Sequence, residues 1–147
     1  MAAVDANTPA APFHLGLRIY WEDTDAGGVV FYANYLKFLE RARTEWLRSL
    51  GVGQEDLRHQ HQLLFVVSSA QLNYRAPARL DDWLDVSVRV AEAGRASLVI
   101  DQQVRRGDAS GPLLCEGRIR VGCVDAERFR PSRIPAELLA RIAPNFA

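Results

Sequence analysis

Along the chain the spacing of apolar residues changes period twice, and each change marks a boundary between elements. Leu15 to Trp21 alternates and is rich in aromatics, which predicts a short strand. From about Asn34 the apolar positions Tyr35, Leu39, Ala42, Trp46 and Leu50 fall at steps of four and three, the repeat of one helix face. Gly51 stands where a helix-ending glycine is expected. Leu36, Phe38 and Leu47 widen that face beyond an ordinary surface stripe, so the helix is expected to lie against a sheet that wraps it. Gln54 to Gln60 reads as a further turn of helix.

From Leu63 the period becomes two. Four strands follow, over 63–76, 83–93, 96–106 and 113–125, cut by Ala76-Pro77-Ala78-Arg79, by Gly94-Arg95, and by Gly107-Asp108 with Gly111-Pro112. Leu84, Val86, Val88 and Val90 alternate with Asp85, Ser87 and Arg89, and Cys115, Gly117, Ile119, Val121 and Cys123 alternate with Glu116, Arg118 and Arg120. One face of the sheet is therefore buried and the other wet or shared. Ala136 to Ile142 reads as a short final helix. The predicted class is α+β, with five antiparallel strands around one long helix. The sheet edges left over call for a second copy of the chain.

Composition narrows the function classes. With 147 residues one domain is expected over 1–147, its first 13 residues forming a flexible tail. Eighteen basic residues balance 18 acidic ones, which leaves no basic surplus for a nucleic-acid partner. The longest apolar run, Leu63 to Val67, is far short of a membrane span. The N-terminal stretch lacks the pattern of a secretory signal, so a cytoplasmic location is expected. Cys115 and Cys123 stand eight apart on one strand, out of disulfide reach, and are expected as buried thiols.

The chemistry concentrates in WEDTDAGGVVFYANY, residues 21–35. A calcium loop starting at Asp23 would have Gly28 in place, but its fifth and twelfth positions are Gly27 and Asn34, and neither supplies the carboxylate required. A phosphate loop fails on glycine spacing. His59 and His61, two apart, have no third ligand near them in sequence, so no metal site is expected. A helix starting near Ala33 points its first amides, those of about Tyr32 to Tyr35, at the preceding loop, where a polarised carbonyl would be stabilised. Gly27 and Gly28 allow the backbone close to a ligand, and Asp23 or Asp25 is either a carboxylate for catalysis or a cap for the turn.

The segment YWEDTDAGGVVFYANYLKFLERARTEWL, with YRAPARLDDWLDV at 74–86, GRASLVIDQQV at 94–104 and the VGCVD strand end, resembles the 4-hydroxybenzoyl-CoA thioesterase family of hotdog-fold enzymes. Within it the likeness is greatest to the bacterial Tol-Pal-associated acyl-CoA thioesterases. The resemblance implies a hotdog fold and hydrolysis of a short-chain or aromatic acyl-CoA to free acid and CoA, coenzyme A being part of the substrate and no separate cofactor needed. It implies a catalytic carboxylate at Asp25, a carbonyl-polarising amide at Tyr32, and Asp23 as a loop-shaping residue. Gly28, Arg95 and Ser97 become the substrate-binding candidates, in a homodimer or homotetramer that binds CoA along the subunit interface. Many members of the Tol-Pal branch have His where this chain has Tyr32. The rival reading is a non-catalytic module that holds acyl-CoA or an acyl carrier protein at the inner membrane, with Arg41, Arg43 and Arg48 meeting an acidic carrier.

Overall fold

The computed structural model describes residues 11–146. Its elements run β1 (Phe13–Arg18), α1 (Asn34–Ser49), α2 (Gln54–His61), β2 (Leu63–Tyr74), β3 (Trp83–Ala93), β4 (Ser97–Arg106), β5 (Leu113–Asp125) and α3 (Ala136–Ile142). The five strands form one antiparallel sheet in the order β1-β3-β4-β5-β2. The expected five-stranded sheet around one long helix is thus the observed architecture.

α1 buries Tyr35, Phe38, Leu39, Ala42, Trp46 and Leu47. Phe38, Leu39 and Ala42 are wholly inaccessible, and against them stand Leu84, Val86, Val104, Leu114 and Cys115, also at 0 % exposure. Burying a side chain of that size is worth about 1.5–3 kcal/mol, which holds an amphipathic helix in place without a side-chain cap. The helix approaches β5 closely at Gly117, where an added Cβ would stand 2.9 Å from Leu39 Cδ1. Leu36, assigned to the buried face from the sequence, is instead 43 % exposed. It falls between the helix's covered face and its charged one.

The chain departs from expectation at β1. Phe13, placed in the flexible tail by the sequence reading, already pairs with Val88, and His14 Nδ1 lies 2.7 Å from Asp85 Oδ2. The remainder of the expected tail, residues 1–10, lies outside the described residues. At its other end the strand stops at Arg18 rather than Trp21, because Trp21–Asp23 turns as a 3-10 helix and Trp21 is left 82 % exposed. His59 and His61 lie on α2, at 3.1 Å from Glu55 and 3.9 Å from Glu137. Among the described residues no cluster of His, Cys, Asp and Glu could hold a metal ion, and no helix is long and apolar enough to cross a membrane.

Cys115 and Cys123 are free and buried on β5, as their spacing suggested. Burial pushes both thiols up to about 11, with Glu116 adding to the effect on Cys115. Only the thiolate reacts, so at pH 8 the folded protein should consume a thiol reagent such as dithionitrobenzoate slowly. Two equivalents should react promptly once guanidinium unfolds the chain. A fast native-state burst of two thiols would contradict the burial.

Candidate active site

The Asp-x-Asp segment folds as a tight hairpin at the mouth of α1. Thr24 bridges Val30, Asp25 N donates to Val29 O (2.8 Å), and Gly28 N donates to Asp25 O (3.1 Å). Gly28 sits at φ +77°, the left-handed residue that closes a three-residue hairpin loop. An added Cβ there would meet nothing within 4 Å, so the demand for glycine is conformational and its outer side is open to a ligand.

The two carboxylates differ in what they do. Asp23 Oδ2 accepts from Tyr20 N (2.8 Å), while its carbonyl accepts from Phe31 N (3.0 Å) and Asn34 Nδ2 (2.9 Å). Asp23 therefore ties strand end, loop and helix start together. Asp25 is exposed and holds its own turn with one oxygen, Oδ1 accepting from Gly27 N at 2.8 Å. Among the described residues no donor engages Oδ2. A carboxylate with one oxygen fixed and the other facing solvent is oriented and accessible.

The turn before α1 runs Phe31-Tyr32-Ala33-Asn34, closed by Asn34 N donating to Phe31 O at 2.8 Å. Asn34 is therefore not among the open amides, contrary to the sequence reading of the first helical N–H groups. The amides of Tyr32 and Ala33 meet no acceptor among the described residues. They stand at the positive end of the helix dipole. Tyr74 OH donates to Tyr32 O at 2.9 Å and its ring lies edge-on to those of Tyr32 (6.4 Å) and Tyr35 (5.4 Å). Desolvation holds the Tyr74 and Tyr35 phenols above their usual range, so both stay protonated at neutral pH. Tyr35 OH in turn accepts from Ala78 N at 3.0 Å. The bond from Tyr74 thereby anchors the Tyr32–Ala33 peptide, whose N–H is open, and the Tyr32 N–H on the preceding peptide is open as well. Tyr74 was missed as a site residue; its only signal was its place in the YRAPARLDDWLDV stretch.

Arg95 and Ser97 lie elsewhere. Arg95 is exposed in the β3–β4 turn, where its carbonyl accepts from Ile134 N (2.8 Å), and Ser97 pairs with Gly122, which pairs with Val66. Tyr74 pairs with Cys115. Residues 115 and 122 are seven positions apart on β5, about 23 Å at the usual strand rise. One chain therefore brings Asp25, Gly28 and Tyr32 together and leaves Arg95 and Ser97 at the far end of the sheet. The arginines read as one basic patch also separate: Arg41 is exposed, Arg48 pairs with Glu45, and Arg43 turns inward to Gln102 Oε1 at 2.9 Å.

Residues 27–112 match the Thioesterase superfamily. The acyl-CoA thioesterase YbgC of Haemophilus influenzae is 41 % identical over 87 % of this chain and 92 % of its own length. The acyl-CoA thioester hydrolase YbgC of Escherichia coli O157:H7 is also 41 % identical, over 87 % of this chain and 93 % of its own. Among solved structures, a probable thioesterase from Bartonella henselae superposes with a TM-score of 0.79 at 30 % identity, covering 85 % of this chain and 100 % of that one. With residues 27–112 matching the family and relatives 41 % identical over most of its length, on a hotdog sheet, the chain belongs to the thioesterase superfamily.

Proposed function

We propose that the protein is an acyl-CoA thioesterase acting on short-chain or aromatic acyl groups, with Asp25 as the catalytic carboxylate and the Tyr32 amide as the donor to the thioester oxygen. The observation that carries the residue assignment is the pair of unengaged amides at Tyr32 and Ala33, next to a turn whose Asp25 has a free oxygen. The carbonyl carbon would gain an oxygen, from water activated by Asp25 or from Asp25 itself, while negative charge on the carbonyl oxygen falls on the Tyr32 N–H. Collapse breaks the C–S bond and releases CoA thiol; the acid leaves after water has entered. Gly28 keeps that approach free of a side chain.

The full site requires a second copy. β2 pairs on one side only, with β5, among the described residues, and Val67 and Tyr74 on it are 51 % and 48 % exposed. Antiparallel pairing of two such edges about their middle sets the Tyr74 end of one strand against the Leu63–Val67 end of the other. Ser97 lies two strands in from Val66, about 10 Å from that edge. A homodimer thus supplies Arg95 and Ser97 of one copy for the CoA phosphates of a substrate held by Asp25 and Tyr32 of the other. Two buried, unpaired cysteines fit the reducing cytoplasm. A binding module without turnover is not favoured by relatives that are named as hydrolases.

The test is thiol release by the purified full chain from a series of acyl-CoA esters, straight-chain from acetyl to palmitoyl and aromatic from benzoyl to 4-hydroxybenzoyl. Turnover concentrated among the shorter or aromatic esters is expected. Absence of thiol release from every ester would overturn the proposal.

A further inference from the structure

Arg43 has a setting that the reaction described so far does not use. It stands on α1 with its Nη1 donating to Gln102 Oε1 at 2.9 Å. Gln102 is 1 % exposed, and its amide nitrogen donates to the carbonyls of Leu39 (3.0 Å) and Ser87 (3.3 Å). With its N–H groups committed, Gln102 can offer Arg43 only its oxygen, so the guanidinium is aimed by a buried and fully bonded partner. Among the described residues that is the one hydrogen bond Arg43 makes, out of five N–H donors, and it forms no ion pair. Burial pushes the guanidinium below its usual range, and the charge of Glu40 only partly restores it. A partly desolvated cation that no anion hydrogen-bonds is costly to keep.

Beside Arg43 opens a slot of about 130 Å³, walled by Trp46, Leu47, Phe65, Val67, Ile100 and Val121. At roughly 30 Å³ per water-sized group it admits about four of them, the size of a carboxylate with one or two methylenes. Phe65 and Val67 belong to the start of β2, the end that edge pairing would set against Tyr32 of a second copy. Glu40 and Gln54 also reach the wall. Glu40 is exposed and screened by water, whereas Arg43 is half-buried and its charge is screened less.

We propose that this slot receives the far end of a short acyl group terminating in a carboxylate, with Arg43 gripping both oxygens, so that four- and five-carbon dicarboxylic acyl-CoA esters are the preferred substrates. A guanidinium fork matches a carboxylate better than any neutral terminus. The inference rests on the thioesterase reading, and its test separates the two. Wild-type kcat/KM should be about tenfold or more higher for succinyl-CoA than for butyryl-CoA, and for glutaryl-CoA than for valeryl-CoA, the equivalent of about 1.4 kcal/mol. Arg43→Met should abolish that ratio and Arg43→Lys should keep part of it. A wild-type ratio at or below one overturns the inference without any variant, and an Arg43→Met enzyme that keeps the ratio overturns it as well. Butyryl-CoA turnover with no preference for the charged ester removes only this inference; no turnover of any of the four esters removes this inference as well, and the thioesterase reading falls only if the wider straight-chain and aromatic series fails too.

Discussion

Asp25→Asn should lower kcat for the best acyl-CoA ester by about 100- to 10,000-fold, the usual worth of a positioned base or nucleophile. The substitution is conservative where it matters for the fold. The amide oxygen of Asn can still accept from Gly27 N, the bond that Asp25 Oδ1 makes at 2.8 Å, so the hairpin should persist and Tm should move little. What disappears is a group able to take a proton from water or to attack a carbonyl. KM should change much less than kcat, because the proposed mechanism puts Asp25 at the reacting centre rather than at the CoA moiety. Asp23→Ala gives the opposite pattern. Loss of the acceptor for Tyr20 N should cost about 1–2 kcal/mol of stability and spare most of the turnover. If Asp25→Asn retains wild-type kcat, or Asp23→Ala abolishes it in a protein that remains folded, the two carboxylates have been assigned the wrong way round. Enzyme-derived oxygen in the product acid, after a single turnover in oxygen-18 water, would mark Asp25 as nucleophile rather than base.

How far the sequence spoke depends on the distance over which each feature is determined. α1 was legible nearly to the residue, because a period of 3.6 and a terminal glycine are local signals and Asn34–Ser49 is where they point. The glycines of the Asp25–Gly28 turn were legible only as room for a ligand; that Gly28 is also the left-handed residue of a short hairpin emerges from the fold. β1 was misread at its C-terminal end because Tyr20 and Trp21 favour strands by type, yet the carboxylate of Asp23 and the 3-10 turn it caps draw them out of the ladder. The strand order could not be read at all. It places β2 at the edge although the chain enters it directly from the helices, a choice made by packing against β5 rather than by anything within 63–74. The same holds for the site's supports. Tyr74 reaches Tyr32 across 42 positions of sequence and Arg43 reaches Gln102 across 59, and pairings of that span leave no periodic trace.

Tyr32→Pro should reduce kcat/KM by about 100- to 1,000-fold while Tyr32→Phe stays near wild type, which isolates the backbone N–H from the side chain. Proline removes the N–H that the proposed mechanism uses and no hydrogen bond that the fold needs, since the Tyr32 amide has no acceptor among the described residues. The position tolerates it. Tyr32 is the second residue of the turn that Asn34 N closes onto Phe31 O, the place where proline's fixed φ is most readily accepted, and the following Ala33 keeps φ −72° and ψ −19°. Proline does bias Phe31 toward extended backbone, and it removes the Tyr32 ring from contact with Phe31 and Tyr74. Two controls deal with this. Tyr32→Ala removes the ring and keeps the amide, so its activity sets the baseline for Tyr32→Pro, and circular dichroism of all three variants reports whether α1 survives. The decisive comparison is therefore Pro against Ala. A gap of two orders of magnitude or more between folded proteins assigns the polarising donor to the Tyr32 amide; equal activities would pass that role to Ala33, whose N–H is also open.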